Sequence, residues 1–169
     1  LGVQRLGFSR LVPSGSGKKL LGRMLKREAL EDLYNKIFSI NTGALGIVTG
    51  DPVASQLKDP SDGDAGSPFP TGGCAAGVSG LTILPDGTVT PCRRLPVPIG
   101  NIRKDSLREI WASSEILNAL RDKSRYKGRC GACKKWSACR GCRAIAYAFS
   151  RADDKAGYLA EDPQCFLTN

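Results

Sequence analysis

Cys130-Gly131-Ala132-Cys133-Lys134-Lys135-Trp136-Ser137-Ala138-Cys139-Arg140-Gly141-Cys142 is the stretch on which the reading of this chain turns. It holds two Cys-x2-Cys pairs separated by five residues. A two-residue gap lets consecutive thiolates turn onto one metal centre, and Gly128, Gly131 and Gly141 permit the sharp backbone that this requires. Metal binding is therefore favoured over purely structural thiols. Working outward, Cys74 and Cys92 lie upstream and Cys165 downstream, seven cysteines in all. An odd count with no secretory signal argues against a disulfide framework. A zinc site would be complete with Cys130, Cys133, Cys139 and Cys142 and would leave three thiols without a role. Two iron-sulfur clusters use all seven. In ferredoxin-type runs the last cysteine of a close-spaced group serves the other cluster. The same division here gives Cys130, Cys133, Cys139 and Cys165 to one cluster and Cys142, Cys74 and Cys92 to the other.

Charge follows the cysteines. The formal net charge is +9, and between Arg103 and Arg143 twelve Lys and Arg stand against four Asp and Glu, so almost the whole excess surrounds the dense thiols. A solvated basic face or a nucleic-acid footprint would read the same way. Counter-charge for thiolate-ligated cubanes explains better why the excess sits here. There is no histidine in the chain, which excludes Ser-His and Cys-His catalysis for this segment. No run of 18 apolar residues occurs and Leu1-Gly2-Val3-Gln4 lacks a signal-peptide layout, so no membrane span and a cytoplasmic location are expected. Gly15-Ser16-Gly17-Lys18 is not a phosphate loop. The first glycine of that motif would fall on Val12, and Lys19 follows where Ser or Thr is required.

The first fifty residues read as strand, helix, strand. Leu1 to Val12, with Val3, Leu6, Phe8, Leu11 and Val12, read as a buried strand that stops in a turn at Pro13-Ser14-Gly15. Leu30, Leu33, Tyr34 and Ile37 recur at helical spacing within about 20–40, closed by Asn41-Thr42-Gly43. Ile47-Val48-Thr49 is a short strand. This is a βαβ unit. Residues 53–72, rich in Pro, Gly, Ser and Asp, read as a linker. Beyond it, Leu81–Leu84 and Thr88–Thr90 flank Pro85-Asp86-Gly87, a hairpin signal, with Cys92 just past the second strand. Ser106-x-x-Glu109 is a capping box for a helix whose inward face is Leu107, Ile110 and Trp111, and Glu115 to Leu120 continue as a second short helix. Trp111 and Trp136 read as core or cluster-shielding rings.

The layout Cys74-x12-Gly87-x4-Cys92, then Cys130-x2-Cys133-x5-Cys139-x2-Cys142, then Cys165, resembles the seven-cysteine signature of the SPASM domain. That domain is the C-terminal extension of radical S-adenosylmethionine enzymes that mature peptides and cofactors. The likeness covers about 73–166 and includes Gly100-Asn101-Ile102, Ile110-Trp111 and Ala160-Glu161-Asp162-Pro163. It implies that Cys74, Cys92 and Cys142 hold a first auxiliary 4Fe-4S cluster and that Cys130, Cys133, Cys139 and Cys165 hold a second. The family more often has three residues between its last two dense cysteines. The two found here are similar to the haem-pathway subgroup. No fourth cysteine serves the first cluster, leaving that position either open to substrate or closed by another ligand.

The resemblance implies an α+β chain in three parts. Residues 1–52 would be the βαβ remnant of a partial (β/α)6 barrel, 53–72 the linker, and 73–169 the SPASM domain with its hairpin, short helices and cysteine-rich loops. The Cys-x3-Cys-x2-Cys loop that cleaves S-adenosylmethionine is not in the chain, which also lacks an initiator Met. That cofactor and a third 4Fe-4S cluster are therefore expected in an upstream core. Expected partners are an acidic peptide or tetrapyrrole-type substrate and an electron donor such as ferredoxin or flavodoxin. Arg10 is a candidate cofactor-binding residue facing the barrel cavity, although such an arginine more commonly pairs with a strand-end carboxylate. The whole protein would be a radical oxidoreductase and maturase. The competing readings are a non-enzymatic electron-transfer module and a zinc-binding nucleic-acid module.

Overall fold

The computed structural model describes residues 2–40, 43, 45–57, 67–150, 154 and 156–167. The chain opens with β1 (Arg5–Phe8), a 3-10 segment Gly15–Arg23, helix α1 (Arg27–Ser39) and β2 (Gly46–Thr49). β1 and β2 pair in parallel, with Leu6 opposite Ile47 and Phe8 opposite Thr49. The expected strand, helix, strand order is thus present with the parallel register that such a unit requires. β1 is shorter than its apolar run suggested and is exposed at Leu6 where a buried strand was expected, β2 begins one residue earlier than read, and α1 starts later. Gly15, Gly17 and Gly22 each cost an α-helix about 1 kcal/mol relative to alanine, so residues 15–23 wind as a 3-10 segment instead. Of the helical stripe, Leu30 and Tyr34 are buried, one turn apart on the same face, while Leu33 is exposed. Asn41 and Thr42, read as the helix stop, lie outside the described residues.

The expected linker is partly core. Pro52–Leu57 form a second 3-10 turn in which Val53, Ala54 and Gln56 are buried. Val53 packs with Leu30, Tyr34, Cys139 and Phe166, so this turn joins the βαβ unit to the cysteine-rich half. Composition hid this, because a single turn flanked by prolines and glycines has no periodicity to detect. Residues 58–66, the middle of that linker, lie outside the described residues.

Downstream, β3 (Thr82–Ile83), β4 (Thr88–Thr90) and β5 (Gly100–Asn101) form an antiparallel meander with β4 in the centre. The hairpin closes through the Gly87 amide donating to the Leu84 carbonyl at 2.9 Å. Pro85 at the second position and φ +85° at Gly87 make this a turn followed by a left-handed glycine, with positive φ at Gly87 and not at Asp86. A Cβ on residue 87 would also meet Asn101 Oδ1 at 2.7 Å. Short helices follow: α2 (Leu107–Ser113), α3 (Glu115–Arg121), α4 (Arg129–Ala132) and α5 (Arg143–Phe149). The N-cap half of the expected box is formed, the Glu109 amide donating to Ser106 Oγ at 3.1 Å, while the Glu109 carboxylate accepts from the Ser106 hydroxyl at 3.1 Å and not from its backbone amide. Of its expected inward face Ile110 is buried, Trp111 is half-buried under the Arg121 guanidinium at 4.4 Å, and Leu107 is exposed. The main core gathers Leu95, Leu117, Leu120, Trp136 and Ile145 around Cys130 and Cys142. No described helix is long and apolar enough to cross a membrane.

Candidate metal centre

The dense cysteines reach their positions through two tight devices. Gly128, at φ +59°, turns the chain into α4, which carries Cys130 and ends at Cys133. Arg140 and Gly141 then adopt φ +57° and +60° in succession. Two consecutive left-handed residues reverse the chain between Cys139 and Cys142. A left-handed conformation costs a non-glycine residue about 1–2 kcal/mol. Arg140 offsets this by donating from its buried guanidinium to the carbonyls of Ser137 (2.7 Å), Cys74 (2.6 Å) and Gly72. Gly141 has no such freedom, because a Cβ there would meet the Asp162 Cβ at 2.6 Å. Gly141→Ala is expected to destabilise the protein by at least about 2 kcal/mol and to displace Cys142, read as a lower melting temperature and reduced metal content.

The reversal has a chemical result. Cys130, Cys133, Cys139 and Cys165 line one cavity, together with Gln56 and Trp136. Cys74, Cys92 and Cys142 line another, together with Arg93, Arg94 and Ala144. All seven thiols are free, and all are buried except the half-buried Cys92 and Cys133. The first group is tied to the second through backbone, the Cys74 amide donating to the Cys139 carbonyl at 3.1 Å. Among the described residues, no three His, Cys, Asp or Glu side chains converge on a point suited to a single metal ion.

Burial sets the electrostatics. Burial pushes the Cys139 thiol up to about 11, against opposing hydrogen bonds from Gln56 and the Gly141 amide. Burial, with Cys74 nearby, does the same to Cys142, also to about 11, and burial raises Cys165. Free of metal, these thiols hold their protons at neutral pH, and metal loading must displace them. Several donors point at the four-cysteine group. Gln56 Nε2 lies 3.5 Å from Cys139 Sγ and 3.3 Å from Cys165 Sγ, and the Gly141 amide lies 3.3 Å from Cys139 Sγ. Arg143 is fully buried, binds the Tyr158 and Ala160 carbonyls at 3.0 and 2.7 Å, and reaches Cys130 Sγ at 3.8 Å. Trp136 Nε1 and Arg143 Nε are buried donors with no acceptor among the described residues. Buried thiols approached by N–H donors from Gln56, Gly141 and Arg143 suit an anionic sulfur-rich cluster whose sulfurs accept hydrogen bonds.

A buried ion network locks these loops to the βαβ unit. Arg10, just after β1, uses all five of its guanidinium N–H groups. Nε and one Nη bind Asp51 at 2.7 and 2.9 Å, and the rest bind Asp162 at 2.7 and 2.9 Å and Gln164 at 3.1 Å. Arg10 therefore takes the carboxylate-pairing role and keeps no donor for a cofactor. Burial alone would lower its pKa, but Asp162 and Asp51 together raise it. Burial works to raise the Asp51 pKa and is outweighed by Arg10 and by the Tyr34 hydroxyl, which donates at 2.5 Å, so that carboxyl lies below its ordinary range. Asp162, fully buried, also accepts from the Cys142 amide at 2.7 Å. One carboxylate thereby fixes both the end of β1 and a cysteine of the three-thiol group.

Sequence reasoning did not find Gln56, and it named Tyr34 only as a member of the helical stripe. Asp162 was visible only as part of the Ala160-Glu161-Asp162-Pro163 segment. The basic stretch is partly inward-facing. Arg121 donates to the Gly77 and Trp111 carbonyls, Arg129 pairs with Glu161 at 3.1 Å, and Arg140 and Arg143 are buried. These four arginines are held by protein acceptors, which weakens the nucleic-acid reading of the charge.

Comparison with known proteins bears on the same residues. The SPASM family, described as an iron-sulfur cluster-binding domain, matches residues 74–143. An AdoMet-dependent heme synthase from Methanosarcina barkeri is 43% identical over 95 residues, covering 56% of this chain and 26% of that protein. A second protein of that name, from Oleidesulfovibrio alaskensis, is 28% identical over 176 residues, covering 98% of this chain and 44% of the relative. A PqqA peptide cyclase from a Methylobacterium species is 33% identical over 96 residues, 52% of this chain and 23% of the relative. The chain thus spans less than half the length of each of these curated relatives.

Proposed function

We propose that this chain, whose residues 74–143 match the SPASM family of iron-sulfur cluster-binding domains and which resembles the C-terminal part of radical S-adenosylmethionine enzymes, carries two auxiliary 4Fe-4S clusters of a cofactor or peptide maturase. Cys130, Cys133, Cys139 and Cys165 hold one cluster. Cys74, Cys92 and Cys142 hold the other. The observation that carries this reading is the partition of the seven thiols between two cavities, with Cys142 parted from the other three of the dense run. A zinc site built from that run would need all four thiols on one ion.

When bound, such clusters supply one-electron transfer and, at an iron without a thiolate, a site for a substrate ligand. The chain's own residues do the rest. Arg140 and Arg143 place buried positive charge beside the thiolates, which lowers the cost of the clusters' negative charge. Arg93 and Arg94 line the three-cysteine cavity and suit a carboxylate-bearing substrate, a tetrapyrrole or an acidic peptide. The parallel β1–β2 pair leaves apolar Leu6 and Val48 half exposed, which supports a place in a larger, covered sheet such as a partial barrel. S-adenosylmethionine, a third cluster and contact with an electron donor of the ferredoxin or flavodoxin type belong to the rest of that enzyme.

The test is metal analysis under strict exclusion of oxygen. Protein so prepared is expected to carry about eight irons on these seven cysteines, with broad absorption in the visible. One or two zincs per chain and no iron would overturn the reading.

A further inference from the structure

We infer that Gln56 sets the reduction potential of the four-cysteine centre by donating from one amide group to two of its thiolates. The inference rests on the proposal that Cys130, Cys133, Cys139 and Cys165 hold a cluster. Gln56 lies in the 3-10 turn that follows β2, outside the matched family segment, and is buried. Its Nε2 carries two N–H groups and stands 3.3 Å from Cys165 Sγ and 3.5 Å from Cys139 Sγ, one donor for each sulfur.

The amide is oriented from its other side. Oε1 accepts from the Phe166 amide at 3.4 Å, and the backbone carbonyl accepts from Lys135 Nζ at 3.0 Å. Phe166 N–H is a donor and cannot face an amide NH2, so this contact turns Nε2 toward the thiols. The turn itself is pinned by Asp51, whose carboxylate accepts from Val53 N at 3.3 Å while binding Arg10. The βαβ unit thus reaches the cluster cavity through a residue that ligates nothing.

Hydrogen bonds to thiolate sulfur stabilise the more negatively charged state of a cluster, and burial strengthens them. On gaining one electron the cluster becomes more negative, so two N–H donors favour reduction and raise the potential. Gln56→Leu removes both donors at similar volume. Gln56→Glu replaces the amide nitrogen with a carboxyl oxygen, which leaves at most one donor where there were two.

The experiment is a potentiometric titration of the full-length, anaerobically prepared protein, followed by electron paramagnetic resonance. Both variants are expected to move the four-cysteine signal to more negative potential, with the three-cysteine signal unmoved. Loaded variants whose potentials equal the parent's would overturn the role of Gln56. Protein without a cluster at this cavity would instead sink the reading beneath it, and iron content in the unsubstituted protein separates the two cases. Where a variant fails to load, pulsed resonance on unsubstituted protein labelled with 15N in its glutamine side-chain amides decides. A 15N coupling to the reduced four-cysteine centre is expected, and its absence overturns the assignment.

Discussion

Cys142→Ala is expected to cost the protein about half of the iron held by its seven cysteines, about four atoms from about eight, while the remaining cluster keeps its spectrum. The expectation follows from the reversal at Arg140 and Gly141. Cys139 and Cys142 are three positions apart, yet the left-handed pair sends them to different cavities. Loss of Cys142 leaves two thiols, Cys74 and Cys92, in its cavity, too few to retain a cubane. The four-thiol set is untouched, and so are its Gln56 and Gly141 donors. The backbone should hold, because Asp162 grips residue 142 through its amide and not its side chain. Iron analysis beside the resonance spectrum of each centre reads the outcome. Equal loss from both would mean that the thiols are shared otherwise than by cavity.

Arg10→Met is expected to destabilise the fold by about 3–5 kcal/mol, the usual cost of removing one partner from a buried ionic network. Asp51 and Asp162 side chains are 3% and 0% exposed, and the same guanidinium separates them. Without it two carboxylates face each other out of water. Asp51 also loses the partner that holds its pKa down, and burial then raises it. In the parent protein the sign is plain. A lowered Asp51 pKa contributes stability that is complete above the ordinary carboxylate range, about pH 4, and is lost as the pH falls through its folded value. In the variant that contribution is gone, so the stability difference between the two proteins should be largest near neutral pH and narrow in acid. Denaturant unfolding across pH measures it. A difference under about 1 kcal/mol at neutral pH would show that the network is not a structural lock.

The two experiments probe different levels of the molecule. The first asks which thiols act together. The second asks what holds the N-terminal unit against them. The pattern Cys-x2-Cys-x5-Cys-x2-Cys, with three distant cysteines, was enough to see metal chemistry, two groups and the family likeness. It was enough for the chemistry because ligand spacing is a local property, although the spacing did not decide the cavity: Cys130 and Cys133 share one, while Cys139 and Cys142, at the same gap, part. The hairpin at Pro85-Asp86-Gly87 and the Ser106–Glu109 cap were legible for the same reason, since turn and cap chemistry lies within four residues.

Other features could not be read that way. Leu107 and Leu33 fit a helical stripe yet are exposed, because periodicity says which residues share a face and not what the face meets. The stretch 53–57 looked like linker and became core, because its burial comes from Leu30, Tyr34 and Phe166, which are remote in sequence.

By itself, then, the amino-acid sequence determined the ligand type, the supply of seven spaced thiols, and the strand, helix, strand order ahead of them. Only the tertiary structure decided that Arg10 is spent on Asp51 and Asp162 and that Gln56 reaches two sulfurs. Those contacts join residues 41 to 152 positions apart, and long-range pairing of that kind leaves no periodic trace along a chain.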